Sequence, residues 1–159
     1  MTTFDKAWTA ADAVPGWLTR AQGRALWQAA RTLPAESTVV EIGSHQGRST
    51  LVLAAALPPR SRVVAIDPFV DGRLFGGVST RGLFERNIAD HGLAGVVHLE
   101  ARYSHELLAE WDHPIHLLYV DCKHDYWSCT RDLAWSGHLP PGSTVLVHDA
   151  FSSVGVTAA

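Results

Sequence analysis

The chain has 159 residues, of which 47% are hydrophobic and 18% are charged, and its formal net charge at pH 7 is -3. This length fits one domain with its own core, and the composition excludes a disordered or fibrous chain. The small negative charge offers no basic surface for phosphates, so a nucleic-acid substrate is not favoured. The first residues lack the basic-then-apolar order of a signal peptide, and no apolar run could cross a bilayer. The sequence therefore predicts a cytoplasmic protein with no membrane partner.

Five apolar runs predict β-strands, and helical patterns lie between them. Ahead of the first run, Thr19 and Gln22 form a capping-box pattern that predicts the start of an additional helix. Strands that alternate with helices indicate βαβ units, which form a mostly parallel sheet with helices on both faces. We therefore predict a doubly wound α/β fold with an extra amino-terminal helix. The predicted strands are Thr38–Gly43, Arg62–Asp67, Val96–Ala101, Ile115–Asp121 and Thr144–Asp149.

The segment Thr38–Thr50 carries the most specific pattern, an apolar strand that includes Glu41 and leads through two glycines into a helix. Gly43 and Gly47 allow backbone conformations that a Cβ would forbid, and they let a ligand approach the main chain. Nucleotide-like cofactors bind at this turn in parallel α/β sheets. The spacing G-x-x-x-G departs from the G-x-G-x-x-G of dinucleotide-binding proteins. A nicotinamide-dependent oxidoreductase is therefore a weaker alternative, which competition between the two cofactors would decide.

A second acidic residue, Asp67, closes the second predicted strand. An acid at this position can accept hydrogen bonds from both ribose hydroxyls of an adenosine-containing ligand. Either acid alone is a weak signal, but Glu41 and Asp67 each stand at the end of an apolar strand with a helix between them. The pair predicts a cofactor that contains adenosine.

Four segments of the chain together resemble class I S-adenosylmethionine-dependent methyltransferases. The likeness is greatest to small-molecule O-methyltransferases, a group that includes macrolide-sugar and, more distantly, catechol O-methyltransferases. It implies a Rossmann-like methyltransferase fold, S-adenosylmethionine as the cofactor, and a small acceptor such as a sugar, polyketide or phenol that is methylated on oxygen. The resemblance extends from about Pro15 to Phe151. The four segments are VVEIGSHQGRST, VVAIDPF, LLYVDCKHDY and LPPGSTVLVHDAF.

The resemblance also implies which residues hold the cofactor. It places the ribose on Asp67 and the adenine near Ser104. A helix N-cap is an equally good interpretation of Ser104, with the helix starting at the next residue. The methionine part of the cofactor is placed over Glu41, Gly43, Ser44 and Gly47.

Three polar residues end the fourth and fifth predicted strands, namely Asp121, His148 and Asp149. In the metal-dependent enzymes that the chain resembles, these positions hold a divalent cation, usually Mg²⁺. His148 departs from the oxygen ligands common there, and an imidazole would favour Mn²⁺, Fe²⁺ or Zn²⁺. The alternative is that the two carboxylates only cap helices and that His148 is a core histidine.

The catalytic base is expected directly after the fourth strand. The macrolide-sugar enzymes that the chain resembles have a D-G-D motif at this position. This chain has Lys123 in place of the second aspartate. An imidazole ordinarily titrates near pH 6.5, so we predict His124 as the base and Lys123 as the second candidate. In a metal-independent enzyme, His124 or His148 would be the base and the carboxylates would be structural.

Methyltransferases of this class normally finish with two further strands, for which the sequence leaves no room after Asp149. We therefore expect a single domain over residues 1–159 that is incomplete at its carboxyl end. The alternative is an inactive methyltransferase-like binding module. An uncovered fifth strand would offer an edge through which a homo-oligomer could form.

Overall fold

A computed structural model describes residues 3–70, 78–121, 125–150 and 154–159 of the chain. Lys123 and His124, the predicted base candidates, lie outside these ranges. The strands are β1 (Thr38–Ile42), β2 (Arg62–Ile66), β3 (Val97–Glu100), β4 (Leu117–Val120) and β5 (Thr144–Val147). The helices are α1 (Phe4–Asp12), α2 (Arg20–Arg31), α3 (Arg48–Ala56), α4 (Val78–Asp90), α5 (Ser104–Leu108), α6 (Tyr126–Leu133) and α7 (Val154–Ala158), with a 3₁₀ helix at Ala134–His138.

The five described strands form one parallel sheet in the order β3-β2-β1-β4-β5. This order confirms the predicted doubly wound fold, because the chain runs outward from β1 to one edge and then returns to build the other half. All strands point the same way, so their carboxyl ends lie along one edge of the sheet. Among the described residues, Asp67, Asp121 and His148 directly follow β2, β4 and β5 and therefore lie along that edge.

The sheet is covered on both faces, which explains why its central strands are mostly apolar, with Glu41 of β1 as a buried exception. Successive side chains of a strand point to opposite faces. Val39 belongs to a core with Leu51 of α3 on one face, and Val40 belongs to a core with Leu107 of α5 on the other. All five residues of β1 are buried, and this central strand therefore fixes the position of the turn that follows it.

Two helices precede β1, where the sequence analysis predicted one. The predicted capping box between Thr19 and Gln22 is present at the start of α2. The additional helix, α1, begins after Thr3, whose side chain accepts a hydrogen bond from the backbone N–H of Lys6. Phe4 and Trp8 of α1 are buried against the rest of the domain. Among the described residues, no helix has the length and apolar character needed to span a membrane.

The contact between α1 and α2 leaves no space for a side chain at Gly23. A Cβ added there would lie 2.6 Å from Cζ3 of Trp8, whose ring is buried. We expect Gly23→Ala to lower the free energy of unfolding by about 1–2 kcal/mol, because overpacking outweighs the gain in helix propensity. Gly82→Ala in α4 is the matched control, since its Cβ would meet no described atom within 4 Å, and it should raise stability by about 0.5–1 kcal/mol. Urea denaturation measures both values, and equal changes would contradict the packing argument.

Candidate active site

The turn after β1 adopts the left-handed backbone that its glycines predicted. Gly43 has φ 92° and Gly47 has φ 89°, and His45 between them has φ 46°. Such angles are accessible to glycine and strained for other residues. A Cβ added at Gly47 would also lie 3.2 Å from Cδ2 of Phe84. The shape of the turn therefore requires a glycine at position 47 for two reasons, its backbone angle and its close contact with the Phe84 ring.

Asp67 connects this turn to the end of β2. Its Oδ2 accepts a hydrogen bond of 2.8 Å from the backbone N–H of His45, and its Oδ1 accepts one of 2.8 Å from the backbone N–H of Phe69. Each carboxylate oxygen has two lone pairs, so both oxygens keep the capacity to accept another hydrogen bond. Asp67 is partly exposed. The carboxylate predicted to bind ribose thus lies beside the glycine turn with acceptor capacity remaining.

Glu41 lies beneath the turn and is completely buried. Its Oε2 accepts a short hydrogen bond from the hydroxyl of Thr50 in α3. Burial raises the pKa of Glu41 to about 7, and the nearby hydroxyls of Ser49, Thr50 and Ser44 partly oppose this rise. The Ser44 hydroxyl thus lies near the Glu41 carboxyl, but neither it nor Glu41 Oε1 makes a hydrogen bond of good geometry with a described residue. Two such buried polar atoms fit a site that receives a polar ligand, although contact between Glu41 and a cofactor stays a prediction.

The raised pKa of Glu41 predicts a pH-dependent stability. Between pH 4.5, its ordinary pKa, and about 7, the folded protein keeps a proton that the unfolded chain has lost. The stability from this group is therefore full below pH 4.5 and is lost as the pH rises towards 7. Across this range we expect the wild type to lose about 3 kcal/mol of unfolding free energy relative to Glu41→Gln, which does not titrate. Guanidinium denaturation at several pH values measures this difference, and parallel pH curves for the two proteins would refute it.

Asp121, His148 and Asp149 come together where β4 and β5 end. His148 Nδ1 lies 3.3 Å from Asp121 Oδ1 and 3.4 Å from Asp149 Oδ2. The imidazole is almost completely buried, whereas both carboxylates are partly exposed. The Tyr119 hydroxyl donates a hydrogen bond of 3.1 Å to Asp121 Oδ2, and burial raises its pKa, so it remains a donor. The cluster can therefore hold a polar group or take up a proton at the same edge of the sheet as the turn.

The predicted metal site does not gain support from this geometry. Within the described ranges, no group of three or more histidine, cysteine, aspartate or glutamate residues is arranged to hold a metal ion. Instead, His148 Nδ1 lies close to a carboxylate oxygen of each neighbouring aspartate. Use of Mg²⁺ or another divalent cation stays a prediction, and the chemistry proposed below does not depend on it.

Ser104 is the first residue of α5, which makes Tyr103 the N-cap. The interpretation of Ser104 as the N-cap is therefore wrong by one residue. Its hydroxyl donates a short hydrogen bond to Oδ1 of Asp132, a buried residue of α6. Ser104 thus links α5 to α6, and its predicted contact with adenine stays untested.

The sequence analysis did not predict the role of Arg48, which hydrogen-bonds the amino-terminal segment to the start of α3 beside the turn. Its guanidinium donates hydrogen bonds of 2.7 Å to the backbone oxygen of Val14 and to Oδ1 of Asp12. These bonds hold the loop between α1 and α2 against the start of α3. Trp17 in that loop is 73% exposed, and its ring centroid lies 5.9 Å from that of His45. An exposed aromatic side chain is thereby positioned next to the glycine turn, although no local sequence pattern signals it.

Comparison with known proteins identifies the family and the fold. A protein family described as "Methyltransferase domain" matches residues 40–150, which contain the glycine turn, Asp67 and the Asp121 cluster. The O-methyltransferase TomG from Streptomyces achromogenes, involved in tomaymycin synthesis and solved in complex with SAM, is 28% identical with a TM-score of 0.66. The match covers 91% of this chain and 63% of TomG.

Two other solved structures share the fold at lower identity. The Bacillus cereus O-methyltransferase in complex with SAH is 19% identical with a TM-score of 0.69, and the match covers 91% of this chain and 64% of that one. The SAH-bound Podospora anserina methyltransferase PaMTH1 is 17% identical with a TM-score of 0.72, at 94% and 62% coverage. This chain therefore spans less than two thirds of the length of each of the three proteins.

Proposed function

The chain belongs to the family of methyltransferase domains, and on this basis we propose that it transfers a methyl group from S-adenosylmethionine to an oxygen atom of a small molecule. The observation that carries the proposal is the position of Asp67, whose carboxylate is bonded to the left-handed turn after β1. Similarity to TomG, an O-methyltransferase solved with SAM, supports both the cofactor and the transfer to oxygen.

The residues around the turn fit such a cofactor. Asp67 would bind the ribose hydroxyls, because its oxygens keep acceptor capacity beside the turn. The backbone at Gly43 and Gly47 would lie against the methionine part, with the hydroxyl of Ser44 as a further polar contact. S-adenosylmethionine supplies an electrophilic methyl group on a positively charged sulfur. The protein must therefore hold the acceptor oxygen in line with that group and exclude water.

The cluster of Asp121, His148 and Asp149 would contact the methyl acceptor and remove its proton. Histidine is the most frequent general base in enzymes, and this imidazole lies 3.3 and 3.4 Å from the two carboxylates. A base of this kind would take the proton from the acceptor hydroxyl as the oxygen–methyl bond forms and the sulfur–methyl bond breaks, with S-adenosylhomocysteine as the leaving group. Alignment of reactants can supply on the order of 7–11 kcal/mol, whereas a base adds about 10²–10⁴-fold in rate, so positioning lowers the barrier more than proton removal does. His124 and Lys123 remain further base candidates.

Calorimetry with S-adenosylmethionine and S-adenosylhomocysteine tests the cofactor. We expect a dissociation constant in the micromolar range for a folded protein, and binding weaker than about 1 mM would contradict the proposal.

Incubation with a methyl-labelled cofactor and a panel of phenols, glycosides and polyketides then tests the transfer. Cofactor binding without transfer to any acceptor would support the alternative of a methyltransferase-like binding module. Full activity after removal of metals by a chelator would select the metal-independent form.

Self-association is a separate proposal, and it concerns the edge strand β5. This strand lies at the end of the described sheet, and Val145 on it is 37% exposed. Edge strands carry backbone groups that can pair with another chain. Light scattering over a range of concentrations tests whether the 159-residue chain forms a homo-oligomer, and a constant monomer mass would contradict it.

A further inference from the structure

A cavity of about 400 Å³ lies at the end of the sheet opposite to the candidate active site. It is bounded by α1, one side of α3, the loop from α3 to β2, and the turn from α4 to β3. The lining residues Ser61 and Val96 come directly before β2 and β3, so the cavity lies at the amino ends of these strands, whereas the glycine turn and Asp67 follow the carboxyl ends of β1 and β2. The cavity is therefore a separate site, and none of the predicted active-site residues lines it.

The floor of the cavity is apolar, and its small side chains leave space between two packed helices. Ala7 of α1 faces Leu51 and Ala54 of α3, and all three residues are buried. Leu57 and Leu93 extend this surface towards the rim. Cavities of roughly 300–1,000 Å³ with apolar walls and a few polar groups are typical of small-molecule sites. The volume and the floor thus fit an aliphatic group of moderate length.

The rim of the cavity carries basic side chains and, among the described lining residues, no acidic one. Lys6, Arg60 and His91 are the basic residues, and all three are exposed. The guanidinium of Arg60 is already paired with Glu36, at 2.7 Å from Nε to Oε1. Lys6 makes no ion pair with any described residue and can therefore bind an anion at the mouth of the cavity.

We propose that this cavity binds an amphipathic anion with an aliphatic body and a carboxylate head, of which a medium-chain fatty acid is the simplest example. An aliphatic chain on the floor displaces water from apolar surface, which contributes about 0.8 kcal/mol for each buried methylene group. The carboxylate meets the ammonium of Lys6 at the rim. A neutral hydrocarbon would lack this ion pair, and a small inorganic anion would leave the apolar floor exposed to water.

Calorimetric titration of the 159-residue protein with octanoate tests the proposal. We expect saturable binding, weakened about tenfold by Lys6→Gln, which removes the charge at the rim. Ala55→Leu places a larger side chain in the wall and should weaken binding by more than tenfold. Arg31→Gln removes an exposed basic residue at the end of α2 that does not line the cavity, so octanoate should bind this control as it binds the wild type.

Two results would overturn the proposal. One is the absence of saturable octanoate binding to the wild type at concentrations up to about 10 mM, and the other is wild-type affinity in both Lys6→Gln and Ala55→Leu. Octylamine, which carries the opposite charge on the same chain, should bind at least about tenfold more weakly than octanoate, and equal binding would also refute the role of Lys6. Circular dichroism establishes that each variant is folded, and Lys6→Gln changes only an exposed side chain, so a folding defect in Ala55→Leu would leave the test intact.

Discussion

Asp67→Ala is expected to weaken the binding of S-adenosylhomocysteine by at least about 100-fold. The change removes the carboxylate that accepts backbone hydrogen bonds from His45 and Phe69 and, in the proposed complex, bonds from two ribose hydroxyls. Hydrogen bonds to a charged group contribute about 1.5–3 kcal/mol each, so loss of the two ribose bonds alone costs about 3 kcal/mol or more. Each 1.4 kcal/mol is about a factor of ten in affinity. Isothermal titration calorimetry measures the change directly.

The control for this variant is Asp90→Ala, at the exposed end of α4. This substitution removes an acidic residue with the same change in net charge, and it should leave the dissociation constant within about twofold. Asp67→Asn tests the acceptor requirement, because its amide keeps one acceptor oxygen and should give an intermediate loss. Unchanged cofactor affinity in folded Asp67→Ala would remove the main support for the proposed function.

The sheet and its first turn could be predicted because their signals are local. Apolar runs as in β1 and β4 can be buried on both faces only in a covered parallel sheet, and glycines at positions 43 and 47 allow a left-handed turn. Helix α1 also had a local signal, since Phe4, Ala7, Trp8 and Ala11 follow helical spacing after the N-cap Thr3. Thr3 lacks the capping-box partner that Thr19 has in Gln22, so the capping pattern alone predicts α2 and not α1.

The details of the site could not be predicted because they depend on contacts between residues distant in sequence. Glu41 is at the predicted place, but its full burial, which raises its pKa, and its hydrogen bond from the Thr50 hydroxyl of α3 depend on tertiary packing. The bond from Ser104 to Asp132 joins α5 and α6 through two residues that are 28 apart in sequence. Arg48 bonds to the loop before α2, over a separation of more than thirty residues. No periodic pattern or capping rule encodes such pairs.

His148→Gln is expected to lower kcat by about 10²–10⁴-fold and to leave the affinity for S-adenosylhomocysteine within about threefold. The imidazole lies between the carboxylates of Asp121 and Asp149, at 3.3 and 3.4 Å, at the end of the sheet where the acceptor is proposed to bind. Glutamine keeps a polar side chain but cannot take a proton from the acceptor hydroxyl. Steady-state kinetics with the acceptor found in the panel gives kcat, and calorimetry gives the cofactor affinity.

The matched control is His113→Gln, because His113 also contacts an aspartate, with its Nδ1 3.1 Å from Oδ1 of Asp112, but the pair lies on the exposed surface. This control should keep wild-type kinetics. A selective loss of kcat in His148→Gln would place His148 in the chemical step, since a merely structural defect would lower cofactor affinity and stability together. Unchanged kcat would exclude the cluster from the reaction and leave the segment with Lys123 and His124 as the source of the base. Repeating both assays after chelation distinguishes two roles of His148, general base and metal ligand. A general base acts equally well without a cation, whereas a metal ligand does not.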